Sequence, residues 1–341
     1  MAQASRQTEV YQHSPLDQVK ICPPQHGYTL PLTVMPAAEI DFIDWARDNR
    51  HFIETGLAKH GAVLFRRFGV KEASTFEKFI QTVCGELIEY RERSSPRSSV
   101  SGRVYTSTDH PPRLNIFPHT EQSYNETFPL RISFFCQQPA TRGGATPIAD
   151  TRRVFLRLDP GIRQRFMQKK YMYVRNYGTG LGLSWQDGFQ TEERHAVEQY
   201  CRAAKIDFEW RGTDSLRTKQ VRPVAARHPK TGEWVWFNHA TFFHLSTLET
   251  GLREALLEVI GEDGAPNNTY YGDGSPIESS VLDELRAAYL EELTSFEWEA
   301  GDILLLDNML TAHARDPFAG PRKVLTAMAQ PWSWAHVKIH D

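Results

Sequence analysis

The most restrictive feature of this sequence is the run at residues 303–306, four large aliphatic side chains set between two aspartates in GDILLLDN. Successive side chains of a β-strand point to opposite faces of a sheet, so such a strand must be covered on both faces. A second segment, LRISFFC, places Leu130, Ile132, Phe134 and Cys136 on one face of a predicted strand. Together these segments predict a β-sandwich core covered by further layers.

Helical spacing of apolar residues predicts those covering layers. We expect helices in six segments, at residues 37–61, 74–87, 151–169, 194–205, 250–260 and 278–293. Gly61 is expected to end the first helix and Ser74 to cap the second, whereas Pro160 interrupts the third. Further strands are predicted at residues 62–68, 233–243 and 322–332, and the Gly- and Asn-rich segment 261–276 is predicted to be a loop.

The domain organisation follows from what the sequence lacks. No repeat and no linker divides the 341 residues, so we predict a single domain over residues 1–341, mainly β with flanking helices and long insertions. Residues 1–26 are polar and indicate an N-terminal arm or edge segment. The long segments 85–115 and 175–195 are expected to carry specificity, because loops on a rigid scaffold do so.

Charge and cysteine content exclude several classes of protein. The net charge of −3 gives no reason to expect binding to nucleic acid or to an anionic membrane. The four cysteines are far apart, which argues against a zinc ribbon and against a disulfide framework. The N-terminus has no apolar signal-peptide region, and no apolar stretch approaches the ~18 residues of a membrane span. We therefore expect a cytoplasmic protein with reduced thiols.

The segment FPHTEQSY carries a histidine and a glutamate two positions apart, His119 and Glu121. If the segment is a strand, both side chains lie on the same face and supply two ligands for a metal ion. His313, a short loop after the buried strand, is expected to supply the third. Two histidines and one carboxylate with open opposite positions are typical of non-heme iron(II) oxygenases. A surface histidine beside an exposed glutamate is the alternative for the pair alone.

Two further residues fit the same chemistry. Arg322 follows His313 by nine residues, and its guanidinium offers a bidentate fork for the distal carboxylate of a dicarboxylate cosubstrate. Thr146, in RGGATPIAD, can donate a hydroxyl to the same carboxylate. Taken singly, Arg322 could form a surface salt bridge and Thr146 could be a turn residue; their joint occurrence with the three ligands favours the site.

Three blocks carry a family resemblance: FPHTEQSYNETFPLRISFFCQQPATRGGATPIADTRRVF, YGDGSPIE and FEWEAGDILLLDNMLTAHARDPFAGPRKVLTAMAQ. They resemble the TauD/TfdA family of Fe(II)/2-oxoglutarate-dependent dioxygenases, closest to its clavaminate-synthase-like, SyrP-like branch, over residues 85–332. The resemblance implies a double-stranded β-helix, which is a cupin-like jelly roll with helices packed outside. It also implies Fe(II) as cofactor, with 2-oxoglutarate and O₂ as cosubstrates.

Residue by residue, the resemblance assigns the iron to His119, Glu121 and His313, and 2-oxoglutarate to Thr146 and Arg322. Arg315 is a second candidate for the cosubstrate, with a supporting or loop role favoured. Related halogenases replace the carboxylate ligand with a small residue, so Glu121 favours hydroxylation of an unactivated C–H. Desaturation or cyclisation of a free small acid remains the alternative.

The substrate is expected to be a small amino-acid-like molecule. Several family members that bind free acids carry a second arginine four residues after the cosubstrate arginine, where this sequence has Thr326. Its absence fits an aminoacyl group tethered to a peptidyl carrier protein, as in nonribosomal peptide-type antibiotic biosynthesis; free amino acids stay open. Candidate substrate-binding residues are Tyr105, Ser107, Ser123, Tyr124, Asn238 and His239.

Two other classes of protein are alternatives to an oxygenase. A zinc hydrolase can use two histidines and a glutamate, but it needs a further carboxylate as general base, and no HExxH segment supplies one. A non-catalytic cupin-like binding protein would retain the jelly roll without the ligands, Thr146 and Arg322. A core histidine is the alternative for His239, and a wall of the core is the alternative for the aromatic segment 234–243.

Overall fold

The computed structural model describes residues 15–89, 92, 98–178 and 180–339. The strands in this part of the chain are β1 (Val19–Cys22), β2 (Leu32–Pro36), β3 (Ala62–Phe65), β4 (Ser99–Ser101), β5 (Val104–Thr106), β6 (Ile116–His119), β7 (Thr127–Gln138), β8 (Arg142–Gly143), β9 (Ile148–Asp150), β10 (Tyr171–Tyr177), β11 (Asp207–Arg211), β12 (Ser215–Arg222), β13 (Ala225–Arg227), β14 (Trp234–Trp236), β15 (Asn267–Tyr271), β16 (Leu293–Thr294), β17 (Ile303–Asp307), β18 (Thr311–Arg315), β19 (Phe318–Ala319) and β20 (Lys323–Ser333). The α-helices are α1 (Phe42–Asp48), α2 (Arg50–His60), α3 (Ala73–Cys84), α4 (Thr151–Arg157), α5 (Pro160–Lys169), α6 (Trp185–Phe189), α7 (Arg194–Ala203), α8 (Thr250–Ile260) and α9 (Ser279–Glu292).

The largest sheet has the order β1-β2-β3-β17-β7-β20-β5-β4, with β17 between β3 and β7. Its centre is buried on both faces, as residues 303–306 predict. Ile303 and Leu305 belong to the cluster formed with α1, α2 and α3, whereas Leu304 and Leu306 belong to the cluster on the opposite face. Successive side chains of β17 therefore enter two different apolar clusters, and this strand separates the layers of the fold.

A second sheet, in the order β16-β9-β18-β6, forms the other wall of the core. Ile148 of β9 packs in the same cluster as Leu304 and Leu306 of β17, together with Ile132 and Phe134 of β7. Two facing sheets with helices outside make the jelly roll implied by the resemblance.

A third sheet, in the order β11-β12-β10-β15, lies within the chain between β9 and α9. Its strand β15 falls in the segment predicted to be a loop, so that prediction is wrong. The polar residues of β15 are satisfied by specific partners: Thr269 donates to the Ala240 carbonyl at 2.6 Å, and Asn268 donates to Glu262 at 2.9 Å. A segment with the composition of a loop thus forms a buried strand.

The helix predictions are confirmed with corrections at the ends and with one division: residues 37–61 form two helices, α1 and α2, separated at Asn49. Gly61 ends α2 with a φ of 71°, a left-handed conformation that glycine adopts without strain. Pro160 opens α5 after the predicted break. Ser74 lies inside α3, whose N-cap position is Glu72, so the predicted cap is wrong. The expected strand at 62–68 ends at Phe65.

All four cysteines are free, and three of them are buried. In the described part of the chain, no helix combines the length and apolarity needed to cross a bilayer.

A buried charge cluster joins the two central strands. Asp307, at the end of β17, accepts hydrogen bonds from Arg131 of β7 and, at 3.1 Å, from His228, and all three side chains are buried. Burial alone raises the pKa of Asp307, but Arg131 and His228 outweigh it and hold that pKa below the usual value. Asp307 also accepts from the main-chain N–H groups of Met309 and Leu310. The cluster therefore fixes the turn that follows β17.

We expect Asp307→Asn to destabilise the protein by about 3–5 kcal/mol, because it leaves the buried Arg131 without its main charge partner. Guanidinium denaturation of both proteins measures the difference. Asp283→Asn is the matched control, since it removes an exposed ion pair with Arg286 and should cost less than about 1 kcal/mol. Equal effects of the two substitutions would contradict the role given to the buried cluster.

Candidate metal centre

The two histidines come from neighbouring strands of the second sheet. β18 pairs with β6 in antiparallel register, and His313 stands opposite His119. Their ring centroids are 4.4 Å apart. Directly opposed residues of an antiparallel pair have close side chains. Strand register alone therefore brings the two imidazoles together.

Glu121 reaches the histidines by a different route from the one predicted. β6 ends at His119, and Glu121 lies in the turn that follows, where Gln122 has a φ of 53°. The expectation that both residues share one face of a strand is therefore wrong in its local structure. The turn nevertheless places Glu121 Oε2 at 3.9 Å from His313 Nε2. One ligand atom from each of His119, Glu121 and His313 lies within 4.8 Å of the others.

The donor set fits a metal ion. Glu121 is 2% exposed and His313 is 4% exposed, so a carboxylate and an imidazole are held together away from water. His119 donates its Nδ1–H to the Phe117 carbonyl at 2.9 Å, which leaves Nε2 as a lone-pair donor. Two imidazoles and one carboxylate match the facial triad of non-heme iron(II) oxygenases.

Aromatic side chains surround the two imidazoles. The ring of Phe242 lies 4.5 Å from that of His119, and the ring of Phe134 lies 5.0 Å from that of His313. Phe242 belongs to the segment predicted as a strand at 233–243, but β14 ends at Trp236 and the rest of the segment forms turns beside the metal centre. That part of the strand prediction is wrong because these apolar residues pack against the site.

Arg322 and Thr146 lie next to each other, as a shared ligand requires. The Arg322 guanidinium is 3.4 Å from the Thr146 hydroxyl and donates to the Gly144 carbonyl at 2.9 Å. Trp298 donates its indole N–H to the same hydroxyl at 3.1 Å. Sequence reasoning did not identify Trp298, although it lies in the block FEWEAGD of the resemblance.

Burial, and then the nearby Arg315, lower the pKa of Arg322 to about 10, so it stays protonated at neutral pH. Neither Arg322 nor Arg315 forms an ion pair with a carboxylate of the described residues. A buried cation without a counter-ion is a costly arrangement in a protein interior. An anionic ligand would relieve that cost.

Arg315 has a different task from Arg322. Its guanidinium donates to three main-chain carbonyls, those of His110, Pro111 and Leu114, at 2.7–2.8 Å. It therefore fastens the segment that leads into β6, which agrees with the favoured loop role.

The predicted substrate-binding residues fall into two groups. Ser123, Tyr124 and His239 lie beside the metal centre: the Ser123 hydroxyl is 2.6 Å from His239 Nδ1, and the rings of Tyr124 and His119 are 4.9 and 5.8 Å from that of His239. Burial holds the pKa of His239 well below its usual value.

The Asn238 carboxamide donates to the Val224 carbonyl, just before β13, and accepts from the Ala240 N–H. Tyr105 lies on β5, which pairs with β20, and the main-chain N–H of Ser107 donates to Val324. Tyr105 also lines a cavity of about 460 Å³ between the segments 89–105 and 189–200.

Asn308 is a further residue that sequence reasoning did not identify. It is fully buried, follows β17 directly and bonds with its side chain to the main chain of Glu121. The only signal in the sequence is its place in GDILLLDN, between the buried strand and His313.

Comparison with known proteins agrees with this geometry. Residues 28–328 match the family described as "Taurine catabolism dioxygenase TauD, TfdA family". The dapdiamide synthesis protein DdaC of Enterobacter agglomerans is 40% identical over 283 residues, which cover 83% of this chain and 86% of DdaC. A clavaminate synthase-like protein of Arabidopsis thaliana is 27% identical over 336 residues, covering 95% and 96% of the two chains.

Solved structures share the fold at low sequence identity. PvcB, described as an Fe, alpha-ketoglutarate dependent oxygenase from an isonitrile synthetic pathway, has a TM-score of 0.54 at 13% identity, covering 95% of this chain and 94% of PvcB. AAD-2 in complex with Mn(II) and N-oxalylglycine has a TM-score of 0.52 at 11% identity, covering 91% and 96%.

The matched family extends over most of the described residues, and its donor set is present. This chain therefore belongs to the TauD/TfdA family, on its clavaminate-synthase-like branch, and is a dioxygenase that uses iron(II), 2-oxoglutarate and O₂.

Proposed function

We propose that this dioxygenase hydroxylates an unactivated C–H bond of an amino-acid-derived small molecule, with iron(II) held by His119, Glu121 and His313. The observation that carries the proposal is the convergence of three ligand atoms, all within 4.8 Å, at a site with a buried carboxylate. Three protein ligands leave the remaining coordination positions to the cosubstrates.

Iron(II) bound there would supply the open positions at which 2-oxoglutarate and O₂ react, with carbon dioxide and succinate as co-products. The chain supplies orientation and a dry site. Phe117 fixes the His119 tautomer through its carbonyl, and Phe242 and Phe134 shield the imidazoles from water. These contacts keep both nitrogen ligands in place before any cosubstrate binds.

Arg322 and Thr146 are proposed to bind the distal carboxylate of 2-oxoglutarate. Arg322 is half-buried, charged at neutral pH and without an acidic partner among the residues described. The Thr146 hydroxyl lies 3.4 Å from it, so one carboxylate can bond to both. Trp298 holds the Thr146 side chain from the other side.

Hydroxylation is proposed over halogenation because of Glu121. A carboxylate side chain occupies the ligand position that a halide would need, and it lies 3.9 Å from His313 Nε2. Desaturation and cyclisation use the same ligands and would be distinguished by the product.

The proposed substrate class rests on three observations. One relative, at 40% identity, is named for dapdiamide synthesis. At the position of the missing second arginine, the Thr326 hydroxyl donates to the Ser133 carbonyl inside the main sheet, so it does not bind a substrate acid group. The cavity of about 460 Å³ lies between parts of the two segments predicted to carry specificity. We propose that it receives the substrate, free or tethered to a peptidyl carrier protein.

The first test is an anaerobic titration of the metal-free protein with Fe(II) and 2-oxoglutarate, followed by the visible charge-transfer band of the chelate. We expect the band in the unmodified protein and a loss of Fe(II) affinity of at least about 100-fold in His119→Ala, since even outer contacts cost 10–100-fold. The matched control is His195→Ala, which removes an exposed histidine and should leave the titration unchanged.

Folded protein that gives no band would contradict the iron assignment. Activity with Zn(II) and without 2-oxoglutarate would instead favour a zinc hydrolase. Binding of 2-oxoglutarate without succinate formation, under any substrate tried, would favour a binding protein.

The second test concerns Arg322. We expect Arg322→Ala to weaken 2-oxoglutarate binding on the order of 100-fold, because it removes charge-assisted hydrogen bonds to a buried carboxylate. The dissociation constant is read from the same charge-transfer band. Arg322→Lys keeps the charge without the planar fork and should be intermediate. Unchanged affinity in Arg322→Ala would transfer the role to Arg315.

A further inference from the structure

We propose that Asn308 is the positioning residue of the metal centre: its carboxamide holds the main chain of Glu121 and thereby sets where the carboxylate ligand points. The inference rests on the metal centre proposed above. It concerns a residue that touches neither the metal nor a cosubstrate, so it is tested by metal affinity and by main-chain protection rather than by turnover.

The hydrogen bonds of the Asn308 side chain go to the main chain of Glu121 and of strand β7. Oδ1 accepts from the Glu121 N–H at 2.7 Å. Nδ2 donates to the Glu121 carbonyl and to the Pro129 carbonyl, each at 2.8 Å. The main-chain N–H of Asn308 donates to the Leu130 carbonyl at 3.0 Å. One residue thus ties Glu121, in the turn after β6, to the first part of β7.

The loop needs such a clamp because Glu121 is outside the sheet. His119 and His313 are held by strand pairing, but β6 ends before Glu121. The hydrogen bonds between paired strands therefore do not extend to the buried N–H and carbonyl of Glu121. Buried main-chain polar groups require hydrogen bonds. The carboxamide of Asn308 satisfies both groups of the one ligand residue that the sheet does not position.

Asn308 is also tied to the second histidine. It lies in the turn between β17 and β18, five residues before His313. Asp307 fixes that turn by accepting from the N–H groups of Met309 and Leu310, and the Thr151 hydroxyl donates to the Met309 carbonyl. The turn that leads into the His313 strand therefore carries the clamp on Glu121, so the two ligands are coupled through a single short connection.

The chemistry of the contacts selects a carboxamide. The site needs one acceptor for an N–H and donors for two carbonyls, and an asparagine provides both from one short side chain. An aspartate of the same shape keeps the acceptor but loses both donations and places negative charge against two carbonyl oxygens. Asn308→Asp is therefore a nearly isosteric disruption, and Asn308→Ala removes the clamp altogether.

We expect each of these substitutions to weaken metal binding by about 10–100-fold, the effect typical of residues that orient metal ligands. The probe is Co(II) alone, titrated into the metal-free protein under anaerobic conditions, with circular dichroism and Tm recorded for every variant. Asn176→Asp is the matched control, because its carboxamide also donates to two main-chain carbonyls, those of Asp263 and Ala265, but in the third sheet. It should lower Tm without changing Co(II) affinity.

A double-mutant cycle separates positioning from general destabilisation. If Asn308 acts through Glu121, then Asn308→Ala should have little further effect on Co(II) affinity in the Glu121→Ala background, where two histidines remain. Equal effects of Asn308→Ala in both backgrounds would overturn the proposal. So would Asn308 variants that fold and bind Co(II) as tightly as the unmodified protein.

A measurement on the unmodified chain covers the case in which the variants do not fold. Hydrogen exchange of the metal-free protein should show the Glu121 amide protected as strongly as amides of β17, since Asn308 binds it before the metal does. A Glu121 amide that exchanges freely until metal is added would overturn the proposal. If the unmodified protein binds no metal at all, the metal centre itself fails, and that outcome is distinct from loss of the clamp alone.

Discussion

Strand β17 is buried on both faces, and the geometry of the metal centre depends on how the chain leaves it. At its end, Asp307 is held by Arg131 and His228, and Asn308 by the main chain at residues 121 and 130. A buried carboxylate and a buried carboxamide both require their partners, so the turn after β17 has little freedom. The strand that carries His313 therefore starts from a fixed point, at which the loop carrying Glu121 is also attached.

The residue types of the centre could be predicted from sequence, but the path of the main chain could not. His119, Glu121 and His313 were chosen because metal ligands are chemically distinctive and because a buried strand precedes His313, and the structure brings the three side chains together. The two-residue spacing suggested a strand at Glu121, whereas the chain turns there with a left-handed residue, Gln122. Side-chain periodicity reports burial, and a turn that buries the same side chains gives the same signal.

Two other misassignments have the same physical origin. Phe242 and Phe243 lie in a turn and pack around His119 and His239, outside the strands of the described residues. Conversely, the polar residues of β15 are buried in a sheet because Ala240 and Glu262 satisfy them. Hydrophobic pattern predicts a strand reliably only where burial is achieved by apolar contact. Where polar groups are satisfied by partners distant in sequence, tertiary structure decides.

The resemblance favoured Arg322 over Arg315 for the cosubstrate, although both follow His313 within nine residues and the sequence gives no physical reason for the choice. Contacts distinguish them. Arg315 directs its guanidinium to three carbonyls and so has a structural task, whereas Arg322 adjoins the Thr146 hydroxyl and has no acidic partner in the described chain. The lowered pKa of Arg322 reflects the same burial without compensation. Arg322 therefore differs from Arg315 in its place beside the Thr146 hydroxyl and in a guanidinium that is not engaged by three carbonyls.

The site also divides its tasks between different parts of the fold. The three ligands, Thr146 and Arg322 all lie in or beside the two sheets of the jelly roll. The cavity proposed for the substrate is lined on one side by residues 89, 92, 102, 103 and 105, and on the other by residues of the segment 189–200, which includes the end of α6 and part of α7. Its Glu92 is bonded to Tyr124 and Tyr200, so the cavity wall touches the ligand loop at Tyr124. Substitutions in these segments can change which substrate is accepted while the metal ligands stay in place. Strand pairing and the Asn308 clamp hold the ligands, and neither depends on these segments.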